Sequence, residues 1–247
     1  MIIWLASYPK SGNTWIRSLL CSYFFSKNKF SLLDLKKIPR FSISDFIQNK
    51  SLLKTNLNVA EQWINVQAYI NKKIKKTVFF KTHNAALTVN KNLFTDSNNT
   101  AGCIYVVRDP RNIITSYKNF ESMSYEGALK HMTNSDAFLF DKKKFENKFG
   151  FRGYEPIMSW SENYKSWAHN KLGIPVHLIR YEDMINDTLE ELKKVINFIA
   201  EIQKDTNFKF DDEKGKKAVD QSSFQSLSEL ESINGFSEAR EGRKFFH

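Results

Sequence analysis

Three short clusters in this chain carry residue types that handle anions and protons. The first is Tyr8-Pro9-Lys10-Ser11-Gly12-Asn13-Thr14-Trp15. It lies between an apolar run at residues 2–5 and a stretch in which Trp15, Ile16, Leu19, Leu20, Tyr23 and Phe24 recur at helical spacing. A strand, a tight polar turn and a helix start make an anion cradle. The first-turn N–H groups lack partners and the helix dipole adds positive character. Lys10 supplies a full charge, and Ser11 and Thr14 supply hydroxyls, so a phosphate is the natural guest. The second cluster, Lys81-Thr82-His83-Asn84, follows a strand pattern at residues 77–80. Lys81 and His83 are two residues apart, which points them to one side of an extended chain. The third, Arg108-Asp109-Pro110-Arg111-Asn112, follows a strand pattern at 101–107 and has Ser116 eight residues beyond Arg108. An Arg at a strand end and a Ser two turns along the next helix can clasp one anion, the Arg as a bidentate fork. Two independent anion sites call for one ligand with two phosphate-like ends.

The first loop is not G-x-x-x-x-G-K-[ST], because Lys10 precedes Gly12 by two residues, and that pattern occurs nowhere else in the chain. The order Tyr-Pro-Lys-Ser-Gly-x-Thr-Trp instead resembles the 5′-phosphosulfate loop of sulfotransferases, which use 3′-phosphoadenosine 5′-phosphosulfate (PAPS). Lys81-Thr82-His83 resembles the family segment that carries the general base, although Asn84-Ala85 replaces the usual Leu-Pro. Arg108 with Ser116 resembles the 3′-phosphate site. Tyr181-Glu182-Asp183 resembles the segment whose Tyr contacts the adenine, and Ser222-Ser223-Phe224 resembles the family's Thr-Ser-Phe adenine segment. The resemblance runs from Leu5 to about Phe246. It implies that His83 takes the acceptor proton, that Lys10 stabilises the leaving phosphate oxygen and that Lys81 serves the sulfuryl oxygens. Lys10, Ser11, Gly12, Asn13, Thr14 and Trp15 would cradle the 5′ end of the donor. The acceptor it implies is a small molecule or a saccharide. No metal is required. Members of the family continue past a Phe-Phe-like pair with Arg-Lys-Gly-x-x-Gly-x-Trp, a loop that closes over the 3′-phosphate. Here Arg243-Lys244-Phe245-Phe246-His247 ends the sequence where that loop is expected.

The elements needed to position these groups are those of one α/β domain over residues 1–247, a size that suits a single core. Strands at 2–5, 77–80, 101–107 and 176–179 predict a three-layer sandwich on a mostly parallel sheet, with a topology like that of P-loop NTPases. Residues 58–74 read as a helix, and 27–57 as loop with short helical pieces. Asp109 caps a helix that Pro110 opens. Pro156 is expected to open another with Ile157, Trp160, Tyr164 and Trp167 on one face. Thr188 and Glu191 are expected to form a capping box. Residues 121–155, with Lys142-Lys143-Lys144, read either as an acceptor-binding lid or as a variable surface loop.

Composition narrows the classes. Hydrophobic residues at 41% fit a globular chain, and a net charge of +10 favours an anionic partner. Two cysteines without metal-ligand spacing argue against a disulfide framework or a metal site. No targeting segment or membrane anchor is visible, so a cytoplasmic setting is expected. Among the histidines, His131 falls in an irregular polar segment, His169 near a helix end, His177 in a strand and His247 at the terminus, which leaves His83 as the catalytic candidate. Three alternatives stay open. A P-loop small-molecule kinase would need the absent Walker lysine. A nucleic-acid-binding module would need a basic stripe with interleaved aromatics, which is not found, so no nucleic acid partner is expected. A catalytically inactive nucleotide-binding relative is the third.

Overall fold

The computed structural model describes residues 1–26, 28–49, 53–139, 154–239 and 244–246. Lys142-Lys143-Lys144, Arg243 and His247 lie outside the described residues. Four parallel strands form the central sheet: β1 (Ile2–Ser7), β2 (Val78–Thr82), β3 (Thr100–Val107) and β4 (Val176–Arg180), in the order β2-β1-β3-β4. β1 is buried at every position. Its residues alternate between two cores, as a strand covered on both faces must. Ile3 and Leu5 join Ile104, Val106 and Ile179 on one face, beneath α1 (Asn13–Phe25) and the helix at Thr188–Ile202. Ile2, Trp4 and Ala6 join Cys103 and Tyr105 on the other, beneath α2 (Asn56–Ile74). The result is a helix–sheet–helix sandwich.

Further helices follow in chain order: α3 (Pro110–Glu121), α4 (Tyr125–Met132), α5 (Trp160–Ala168), α6 (Tyr181–Asn186), α7 (Thr188–Ile202), α8 (Asp212–Gln221) and α9 (Phe224–Asn234). Residues 32–37 and 43–45 are short 3₁₀ turns. Asp109 caps α3 as expected, its carboxylate accepting from Arg111 N–H at 2.8 Å.

Three local expectations are corrected. Pro156 does not open α5. It lies in a two-residue strand, and the helix starts at Trp160 behind a capping box of Ser159 and Glu162. The cap of α7 is Asp187, which accepts from Glu190 N–H at 3.0 Å, while Thr188 Oγ1 turns back to donate to Met184 O at 2.7 Å. His131 is not in irregular chain but on α4, with its Nδ1 3.2 Å from the Tyr117 hydroxyl. Within 121–155, the described part holds α4 and short β pieces. Cys21 and Cys103 are both free and buried.

Strand register sets the site. Ala6 pairs with Thr82, Ser7 with Val106 and Val107 with Arg180. The next residue along each strand therefore falls on one edge of the sheet. These are His83 after β2, Tyr8 and the loop after β1, Arg108 after β3 and Tyr181 after β4. In open parallel sheets this carboxyl edge is where ligands bind.

Candidate active site

The loop after β1 is shaped by two left-handed residues, Lys10 (φ 66°) and Gly12 (φ 102°). Gly12 is also the N-cap of α1, and no side chain caps that end. The first-turn N–H groups therefore keep their capacity for an anion, with no acid in the first turn to compete. Asn13 holds the turn from inside: its Nδ2 donates to Leu5 O at 3.1 Å and to Ser7 Oγ at 3.2 Å.

Arg108 joins the loop to the far strand. Its Nη1 donates to Lys10 O at 3.2 Å, and its guanidinium carbon lies 4.1 Å from the centre of the Tyr181 ring. The same ring lies against Gly12, where an added Cβ would stand 2.5 Å from Tyr181 Cδ2. Trp15 meets Tyr181 edge to face at 5.6 Å, and its Nε1 donates to Ser222 O at 3.0 Å. The structure thus brings Lys10, Gly12, Trp15, Arg108, Tyr181 and Ser222 together. Phe224 begins α9 and is half exposed. Ser116 sits half-buried on α3, and the hydrogen bond Arg108 makes is to Lys10 O rather than to it.

Buried polar atoms without partners gather around this loop. They include Tyr8 Oη, Ser11 Oγ, Asn13 Oδ1, Arg108 Nε and Ser222 Oγ. Such atoms are costly unless something hydrogen-bonds them. A ligand carrying phosphate and amino or hydroxyl groups supplies both donors and acceptors, so the donor set fits a nucleotide. Among the described residues no group of three or more His, Cys, Asp or Glu could hold a metal ion.

His83 is fixed by backbone. Its Nδ1 lies 2.8 Å from Ser7 O, and a carbonyl only accepts, so Nδ1 carries the hydrogen and Nε2 keeps its lone pair. Its own N–H donates to Glu155 Oε2 at 3.3 Å, and its carbonyl accepts from Asn163 Nδ2 at 3.1 Å. Burial, reinforced by the Lys81 charge, pushes the imidazole pKa down to about 4. His83 is therefore neutral near pH 7. Lys10 is lowered to about 8, first by burial and then by Lys81 and Arg108. Its Nζ lies over the rings of both Phe120 and Phe245, at 4.5 and 4.4 Å from their centres.

Lys81 is buried, and its Nζ donates to Glu238 Oε2 at 2.7 Å. The other Glu238 oxygen takes Arg17 Nη1 at 2.5 Å. Sequence reasoning missed Arg17, Glu155, Glu238, Phe120 and Phe245, whose roles come from contacts across the fold. Ser7 left a local signal: a hydroxyl residue ending an otherwise apolar strand, next to the loop.

A four-stranded parallel sheet flanked by helices, with a Gly-containing polar loop between its first strand and the helix that follows, defines a P-loop-like α/β fold. The chain belongs to the sulfotransferase domain family, whose family model matches residues 2–246. It is 25% identical over 198 residues to sulfotransferase 2A6 of Rattus norvegicus, covering 79% of this chain and 58% of that protein. It is 25% identical over 235 residues to the luciferin sulfotransferase of Photinus pyralis, covering 93% and 57%. The chain thus spans less than two thirds of the length of these relatives. Among solved structures, mouse sulfotransferase SULT7A1 complexed with PAP superposes with a TM-score of 0.54 at 19% identity, covering 92% of this chain and 65% of that one. Retinol dehydratase complexed with retinol and PAP gives 0.53 at 14% identity, covering 100% and 73%. These likenesses show the fold. No helix among the described residues is long and apolar enough to cross a membrane.

Proposed function

We propose that this chain transfers a sulfuryl group from PAPS to a hydroxyl or amine of a small-molecule acceptor. The observation that carries this reading is the hydrogen bond from His83 Nδ1–H to Ser7 O. Ser7 ends β1, and the phosphate loop starts one residue later. A base held by that carbonyl keeps a fixed place relative to the loop, as an in-line displacement requires. The acceptor proton moves to His83 Nε2 as the new O–S or N–S bond forms. The bond from sulfur to the 5′-phosphate oxygen breaks, and its electron pair stays on that oxygen beside Lys10. Lys81 serves the sulfuryl oxygens. Arg108 and Ser116 take the 3′-phosphate, and Trp15, Tyr181, Ser222 and Phe224 form the adenine side. The reading is supported by the PAP bound in the two structural relatives and by the unpartnered polar atoms around the loop.

The test is calorimetric titration with 3′-phosphoadenosine 5′-phosphate (PAP) and with the same nucleotide lacking its 3′-phosphate. PAP binds more tightly by about 1.5–3 kcal/mol, the range for a charge-assisted contact. Arg108→Ala removes the difference. Equal affinities in the unaltered chain contradict the reading.

A further inference from the structure

We propose that Glu238 is an internal counter-anion for Lys81: a carboxylate that occupies the anion position of the sulfuryl-binding lysine and yields it when the donor arrives. The proposal rests on the sulfuryl-transfer reading above and adds a means by which the chain regulates its own donor site.

Nothing local places Glu238 here. It lies 157 positions from Lys81, in the segment after α9, and reaches back to the end of β2. One oxygen takes the Lys81 ammonium at 2.7 Å and the other the Arg17 guanidinium at 2.5 Å. Burial by itself would raise the carboxyl of Glu238, but the two cations outweigh it and hold that carboxyl well below the usual range. The three groups differ in access to water. The side chains of Lys81 and Arg17 are only 8% and 5% exposed, whereas that of Glu238 is 28% exposed. The bases are fixed inside, and the carboxylate is the partner with a path out.

Residues 244–246 also reach the loop after β1. Phe245 lies against the Lys10 ammonium. The N–H groups of Phe245 and Phe246 both donate to the buried carboxylate of Glu231, at 2.7 and 2.9 Å. Phe245 thus covers the loop lysine with an aromatic ring, and Glu238 covers the strand lysine with a carboxylate.

A sulfuryl group approaching Lys81 carries negative charge and meets Glu238 already in place. Leaving two buried cations without a counter-charge is strongly unfavourable, so release of Glu238 is coupled to arrival of another anion. PAPS brings that anion; PAP, which lacks the sulfuryl group, does not. Glu238 therefore weakens the binding of donor relative to product, and it returns to Lys81 after transfer.

The experiment measures calorimetric affinities of PAPS and PAP for the unaltered chain, Glu238→Gln, Glu238→Asp and Glu238→Gln/Lys81→Met. Glu238→Gln raises the affinity ratio of PAPS to PAP on the order of tenfold, the scale of one charge-assisted contact released for the ligand. Glu238→Asp keeps the charge but is one methylene too short to span both bases. It raises the ratio less, and it keeps the test available if the Gln variant does not fold. In the double variant the gain disappears, because the lysine that would use it is gone. PAP binding with a ratio unchanged or lowered in both single variants overturns this proposal alone. Failure of the unaltered chain to bind PAP overturns the donor reading and this proposal with it.

Discussion

Substituting Gly12 by Ala tests how the loop and the strand-end tyrosine depend on each other. Two costs arise at this position. The backbone stands at φ +102°, where an L side chain is strained, and the new Cβ would lie 2.5 and 3.0 Å from Cδ2 and Cε2 of Tyr181. Backbone strain of this kind costs about 1–3 kcal/mol, and overpacking costs about 1–3 kcal/mol more. To restore van der Waals contact the ring must retreat by about 1 Å. That moves the face on which Arg108 rests. Gly173 provides an internal control: its φ is +67°, and an added Cβ meets nothing within 4 Å. Gly173→Ala therefore pays for strain alone. Thermal unfolding followed by circular dichroism reads the difference, at roughly 2–4 °C per kcal/mol for a chain of this size. Gly12→Ala lowers the midpoint more than Gly173→Ala and weakens PAP binding, whereas Gly173→Ala leaves binding unchanged. In Gly12→Ala/Tyr181→Ala the overpacking disappears, so the two substitutions cost less together than their separate costs add up to. Equal midpoints for the two glycine variants, or strict additivity with Tyr181→Ala, would refute the packing described for the loop.

Under the proposed mechanism the pH dependence of kcat/KM follows from two groups of the free protein. His83 must be neutral to accept a proton, and burial lowers its pKa to about 4, so the acid limb falls near pH 4 rather than near the ordinary histidine value. Lys10 must be charged, and its pKa is lowered to about 8, so activity declines as pH rises through about 8. A rate profile in which activity is lost through pH 6.5 instead would contradict the desolvated imidazole. Trp15→Phe keeps a ring beside Tyr181 but removes the donor to Ser222 O. Leaving that carbonyl unsatisfied costs about 1–3 kcal/mol. Chemical denaturation measures it, and no loss of stability would show that the indole N–H does not tie α1 to the end of α8.

The architecture followed from periodicity. β1 and β3 read as apolar runs because both of their faces are covered, and α2 read as a helix because Val59, Trp63, Val66 and Ile70 face the sheet. Local chemistry also singled out the loop, since a Lys-Ser-Gly-Asn-Thr turn before a helix offers an anion a cation, hydroxyls and uncapped N–H groups. What sequence missed depends on contacts between distant elements. The Lys81–Glu238 pair joins a strand to a segment 157 residues away, and neither residue's neighbours hint at the other. Glu155 is almost fully buried because Arg40 Nε and His83 N–H meet its carboxylate, at 2.7 and 3.3 Å, and both partners come from elsewhere in the chain. The Pro156 and Thr188 errors have a simpler cause. Each helix start held two residues able to begin it, and the one whose side chain reaches the right N–H, Ser159 or Asp187, prevailed.

The central claim is that His83 is the base and that the loop holds the donor without it. His83→Ala separates the two. Calorimetry with PAP and a single-turnover assay with labelled PAPS would be run on both proteins, using a hydroxyl or amine acceptor that the unaltered chain sulfates. The account predicts nearly unchanged PAP affinity and transfer slowed by ~10²–10⁴-fold, the usual contribution of a positioned base. Transfer at the unaltered rate in the His83→Ala protein would contradict it.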